Sequence, residues 1–159
     1  MSLGHFGVDF FESDAGSPSF NTSLKSGGNG KIFVKTLSES AVAANVPVFL
    51  WYAEGSTYES TALGASYLGA VGVPEAAIAS GCLGWVQVRG VASNVQFGTG
   101  DASGSAGNAV FWGAGAVGAS SSAVNGFTHQ IGVVVGTELN GSTTGDIFLW
   151  GRFDRTPQA

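Results

Sequence analysis

The chain has 159 residues, enough for one domain or for one domain and an arm. Charged residues make up 11 per cent, less than half the usual ~25 per cent, and the formal net charge is −5. Only six Lys and Arg are available to neutralise phosphates, which excludes nucleic acid and an anionic membrane surface as expected partners.

Hydrophobic residues at 44 per cent supply a core, and 26 glycines favour tight turns and bulges over helices. With so few ionised side chains, much of the exterior must be small, neutral or apolar. That predicts a surface finished by contact with other molecules. Cys82 is the single cysteine, so no internal disulfide is expected and a reducing compartment fits. The first residues, MSLGHFGVDFFESD, carry no secretory pattern. No apolar run reaches the ~18 residues that would mark a membrane-spanning helix.

Residues 1–30 are polar and turn-rich, with Phe6, Val8, Phe10, Phe11 and Phe20 as isolated apolar positions. They predict an extended N-terminal arm that docks onto a partner or folds back onto its own domain. Residues 31–159 predict the body. Lys31–Leu37 is the first strand, and Val46–Tyr52 the second. In the second, Val48, Leu50 and Tyr52 alternate with Phe49 and Trp51, so both faces need covering. Between them, Ser38–Asn45 predicts one helical turn or a bend. Glu54–Ser66 reads as a polar connection. Leu68–Val73 and Ala76–Ala79 read as short strands, with a helix over Pro74–Ser80 as the competing reading.

Gly84–Gly90 alternates, placing Val86 and Val88 inward and Gln87 and Arg89 outward. Gly90 then predicts a bulge, after which Val91, Ser93, Val95 and Phe97 share a face. A long turn over Gly98–Asn108 follows. Ala109–Trp112, Gln130–Gly136 and Asp146–Phe153 are further strands, the last two joined through Gly141–Gly145. Roughly seven to nine short strands with Gly-rich turns predict an all-β fold, a small β-barrel or sandwich with an extended N-terminal arm. The expected core is Val86, Val88, Val95, Ile131, Val133, Ile147 and Leu149.

Constellations for chemistry are weak. Gly113-Ala-Gly115-Ala-Val-Gly118 fits the dinucleotide fingerprint, with Glu138 near the position of a ribose-binding acid. The fingerprint needs a helix starting inside it, and Ala119–Gly126 is too short and too rich in turn formers to supply one. His5 and His129 are the only histidines; neither has companions at zinc-ligand spacing, and His129, at the entry to a strand, reads as a polar strand-edge residue and not as the base of a triad. Asp101, Ser103, Ser105 and Asn108 bring one carboxylate among four oxygen donors, which favours a hydrogen-bonded turn over calcium. Asp9, Glu12 and Asp14 form an acidic cluster in the arm, solvated or facing basic residues on a partner. Asn21 and Asn140 fit the glycosylation pattern but lack a secretory context. No enzyme activity, cofactor or metal is therefore expected.

The segment GVPEAAIASGCLGWVQVRGVASNV (Gly72–Val95), the Gly100-Asp101 turn, and HQIGVVVGTELNGSTTGDIFLWGR (His129–Arg152) resemble the C-terminal barrel of tailed-bacteriophage head decoration (cement) proteins. The likeness rests on the strand Gly84–Gly90, on Ile131-Gly132, and on a last strand entered through Gly145-Asp146. It covers about half the chain, Gly72–Arg152, and does not reach the arm. It implies a barrel that binds the outer face of the major capsid protein, bridges neighbouring capsomers and acts as a dimer or trimer. The implied location is the outer capsid surface of the virion, after synthesis in the host cytoplasm. Expected contact residues are Phe6, Phe10, Phe11 and Phe20, with Trp51 and Trp85 secondary, because aromatic side chains dominate interface energetics. The competing reading is a virion appendage, a head fibre, neck or tail protein, that binds a glycan or receptor through exposed tryptophans.

Overall fold

The computed structural model describes residues 14–15, 24–53, 57–62, 70–97, 103–113, 116–120, 129–136, 139–140 and 144–150. Among these the chain is β throughout, apart from one 3-10 turn at Gly28–Gly30. Thirteen strands are formed. They are β1 (Asp14–Ala15), β2 (Leu24–Ser26), β3 (Ile32–Ser38), β4 (Val48–Ala53), β5 (Thr57–Ala62), β6 (Ala70–Pro74), β7 (Cys82–Gln96), β8 (Ser103–Gly104), β9 (Ala109–Gly113), β10 (Ala116–Ser120), β11 (His129–Val134), β12 (Leu139–Asn140) and β13 (Thr144–Trp150).

Strand β7 organises everything else. One edge pairs with β3 from Leu83 to Arg89. Its other edge takes β1 at Cys82 and Leu83, then β6 at Val86 and Gln87, then β13 from Arg89 onward. β6 pairs with β4, β4 with β5, and β5 returns to β3. The ring β7–β6–β4–β5–β3 therefore closes on itself as a small barrel. All its pairings are antiparallel except the last, β5 with β3, which is parallel.

A barrel this narrow needs small side chains inside. Its interior holds Val34, Val48, Leu50, Ala70, Val86 and Val88, and the Val42–Ile78 bridge closes it. A Cβ on Gly72 would collide with the side chains of Val86 and Leu50, so glycine there makes room for both. The parallel seam is polar: Thr36 Oγ1 and Ser60 Oγ are fully buried and hydrogen-bonded at 2.9 Å, and the Glu39 N–H donates to the Ser60 carbonyl at 2.9 Å.

Beyond Arg89, β7 leaves the barrel and becomes the first strand of a wing, β7–β13–β11–β9–β10. The wing packs against the outer wall of the barrel. Phe49, Val71 and Val73 from the wall join Ala92, Val95, Phe97, Val110, Val134, Ile147 and Leu149 in one cluster. Barrel and sandwich are thus both present, since β4 and β6 serve the barrel on one face and the wing on the other. This is why Val48 and Leu50 alternate with Phe49 in a strand apolar on both sides.

Several sequence expectations change. Thr57–Ala62, read as part of a polar connection, is a strand, with Ser60 facing the barrel seam. Ala76–Ala79 is neither strand nor helix but a bend held by reciprocal hydrogen bonds between Ile78 and Val42. Of Ser38–Asn45, expected as one helical turn or a bend, Ser38 ends β3 and the rest is bend and turn, as the second expectation had it. Gln87, expected outside, is fully buried, because the outer face of β7 is covered here as well. The irregularity expected at Gly90 is present, since β7 slips register against β3 between Gln87 and Arg89 and Gly90 takes φ 90°. The change in alternation comes later, at Asn94: Gly90 and Ala92 are buried, Ser93 and Asn94 exposed, Val95 and Phe97 buried again. Along β11, Gly132 and Val134 are the buried pair, while Ile131 and Val133 are half-buried, because the register against β9 slips between Gln130 and Gly132. Val86, Val88, Val95, Ile147 and Leu149 are core residues as expected.

Within residues 1–30, Leu24–Ser26 pair with β3 and Asp14–Ala15 with β7, so these parts of the segment belong to the sheet.

Candidate interaction surface

Of the segments that carry the resemblance, Ile131-Gly132 and Gly145-Asp146 lie on β11 and β13, adjacent antiparallel strands of the wing, whereas Gly84–Gly90 belongs to the barrel part of β7 and meets β13 only at Arg89 and Gly90. Gly132 is required by the contact of β11 with β13. A Cβ there would run into the Phe148 carbonyl oxygen across the β11–β13 ladder, so only glycine lets the strands approach. The Gly145-Asp146 step lies where β13 meets the bulge of β7. Asp146 faces both Ser93 and Asn94, and its carboxylate accepts a hydrogen bond from the Asn94 N–H at 2.9 Å.

At the far end of β13, Trp150 stands opposite Arg89, whose other cross-strand partner is Ile32. Trp150 is 37 per cent exposed, the one exposed large hydrophobic side chain among the described residues. Arg89 is exposed too, and no described carboxylate lies within ion-pair reach of it, the single described ion pair being Lys31–Glu75 at 2.6 Å. An unpaired guanidinium beside an exposed indole is the residue combination enriched at interface hot spots. Sequence reasoning placed Trp150 in a strand without singling it out. Its exposure follows from register, which puts it level with the bend where β7 passes from barrel to wing.

A second feature lies on the outer face of the barrel. Trp85 is 4 per cent exposed and sits beneath two lysines, with Lys25 Nζ 4.4 Å and Lys35 Nζ 5.8 Å from its ring centroid. This places Trp85 within the fold, not free at the surface as an anchor, and Phe33 packs beside it. Trp85 Nε1 and Gln87 Oε1 are buried without a hydrogen-bond partner among the described residues. Trp51 is half-buried against the barrel–wing core. Phe6, Phe10, Phe11 and Phe20 lie outside the described residues, as do His5 and Asp101.

The glycine motif Gly113–Gly118 forms a hairpin: Gly113 pairs with Ala116, and β9 continues antiparallel to β10. A strand therefore stands where a nucleotide-binding helix would be required. The oxygen-rich loop closes through the Asn108 N–H donating to the Ser105 carbonyl at 3.0 Å, a hydrogen-bonded turn. Among the described residues no three His, Cys, Asp or Glu side chains cluster as metal ligands. No described helix is long and apolar enough to cross a membrane, which leaves β-barrel insertion unaddressed.

Fold and surface together define an all-β protein in which a five-stranded barrel carries a packed wing. No protein family, characterised protein or solved structure matches the chain.

Proposed function

We propose that this chain is a phage capsid decoration protein that binds the outer surface of the assembled shell and bridges major capsid proteins. The observation that carries the reading is the exposed pair Arg89 and Trp150, set opposite each other where the strand Gly84–Gly90 meets the last strand of the resemblance, β13. The sequence supports it independently. A chain with 11 per cent charged residues has little ionic surface of its own, and contact with a lattice would cover its neutral exterior. Repetition across a shell turns a modest contact into strong retention. Self-association as a dimer or trimer on the lattice belongs to the same proposal.

Co-sedimentation with empty, undecorated shells of the virus that encodes it tests the reading. Retention that saturates at a fixed ratio to the major capsid protein supports it. Failure to pellet with shells at micromolar concentration would overturn it. A glycan- or receptor-binding appendage is the second reading, favoured by the exposure of Trp150. Saturable binding to a glycan panel without shell binding would select it.

A further inference from the structure

Lys25, Lys35 and Trp85 gather on the outer wall of the barrel, where β2, β3 and β7 lie side by side. Lys35 stands opposite Trp85 in the β3–β7 pairing. Lys25 stands opposite Phe33, two residues before Lys35 and on the same face of β3. The two ammonium groups lie 4.4 and 5.8 Å from the centroid of one indole ring. The ring attracts each of them, but like charges converging on one ring repel each other. Lys31 relieves its charge on an acid, with Nζ 2.6 Å from Glu75 Oε1, whereas no carboxylate among the described residues pairs with Lys25 or Lys35.

Burial sharpens the shortage of negative charge. Lys35 is 9 per cent exposed, and the Trp85 indole N–H is buried with no acceptor among the described residues. A buried ammonium and a buried N–H donor each cost free energy until something accepts from them. Lys25 is exposed on β2, the last strand of the sheet, so the cluster opens to solvent on that side. Gln87 Oε1, also unpaired, is an acceptor and adds nothing to anion binding. Two point cations and one directed N–H make a receptor for an oxyanion with two acceptor oxygens. A carboxylate fits this set, one oxygen taking the ammonium groups and the other the indole N–H. A phosphate dianion fits less well, because the net charge of −5 repels it in proportion to its greater charge.

We propose that Lys25, Lys35 and Trp85 form a carboxylate-binding site, entered past Lys25, whose ligand is a small free carboxylate or the acidic side chain of a partner protein. The bound carboxylate screens the two ammonium groups from each other and accepts from the indole N–H. Lys25, a compact charge on a flexible stem, turns from the ring to admit it.

The test uses the full-length protein alone, so its outcome is independent of whether shells are bound. Propionate, which ends as a glutamate side chain does, is titrated at constant ionic strength. The indole N–H resonance of Trp85, assigned through W85F, reports binding. We expect a saturable shift, with affinity about tenfold weaker in K25A and in K35A, as befits loss of one charge-assisted contact. Propionamide, neutral and of the same shape, should leave the resonance in place. The blocked peptide acetyl-Ala-Glu-Ala-amide distinguishes the two sources: binding tighter than propionate assigns the site to a partner's side chain, weaker binding to a free acid. Should K35A fail to fold by circular dichroism, K25A decides, since Lys25 is exposed. Absence of a saturable shift, an equal shift with propionamide or chloride, or affinity unchanged in K25A would overturn the proposal. So would inorganic phosphate bound more tightly than propionate, because the site would then select charge and not the carboxylate.

Discussion

The Asp146 carboxylate accepts a hydrogen bond from the backbone N–H of Asn94, a residue 52 positions earlier, at 2.9 Å. Asn94 has φ 55°, a left-handed conformation that asparagine tolerates better than most residues. The pair fixes the bulge at which β7 turns its other face to the core and Val95 and Phe97 replace Gly90 and Ala92 inside. Removing the acceptor in D146A should destabilise the fold by about 0.5–1.5 kcal/mol, the net value of one such bond. N94G, which keeps the N–H and frees the backbone, should be neutral or slightly stabilising. Urea unfolding curves distinguish the two. Equal losses would mean that the Asn94 side chain, and not the backbone bond, holds the bulge.

Gly132 has no room for a side chain against the Phe148 carbonyl. The neighbour is backbone, so relief requires separating β11 from β13. G132A should therefore cost about 3 kcal/mol or more, at the upper end of overpacking effects. The denaturation midpoint checks this, and a loss under half that figure would show that the strands part easily.

At the barrel seam, Thr36 and Ser60 satisfy each other where β3 and β5 run parallel. T36V keeps the volume but orphans the Ser60 hydroxyl, at an expected cost of about 1–3 kcal/mol. Because the two residues share one bond, T36V and S60A should be strongly non-additive in a double-mutant cycle. Additive effects would place the seam's stability in the backbone pairing alone.

Trp150 and Arg89 are exposed, and neither contributes to the core clusters. W150A and R89A should each leave the unfolding midpoint within about 0.5 kcal/mol of wild type, as surface changes do. Shell retention should fall by about 2 kcal/mol or more for a hot-spot residue, roughly thirtyfold in affinity. Co-sedimentation titrations measure it. Unchanged retention in both variants would move the contact surface elsewhere on the protein.

The all-β class was legible in the chain because Gly-rich turns and short β-branched or aromatic runs leave no stretch for a long helix. The glycine motif at Gly113–Gly118 could be denied a nucleotide-binding helix for the same local reason, although the strand Ala116–Ser120 that runs through it was not expected. Thr57–Ala62 was not legible as a strand. Ser60, which is buried, faces a seam where small polar groups pair with each other, and the sequence Thr57–Ala62 lacks the apolar alternation that marks most strands. Gln87 was misplaced because alternation assumes one wet face, and here barrel interior and outer wall are both covered. Trp150 and the lysines over Trp85 draw their significance from strands paired across the sheet, which no local pattern encodes.

By itself, the order of residues decided that this protein would be built of short strands, sparsely charged, with its core drawn from alternating aliphatic positions. Those properties follow from backbone preference and side-chain polarity, which act over a few neighbours. Only the three-dimensional arrangement decided that β5 would close a ring against β3, that β7 would serve two layers, and that Trp85 would be covered while Trp150 stayed exposed. Those outcomes depend on register between distant strands, where a slip of one position exchanges inside for outside.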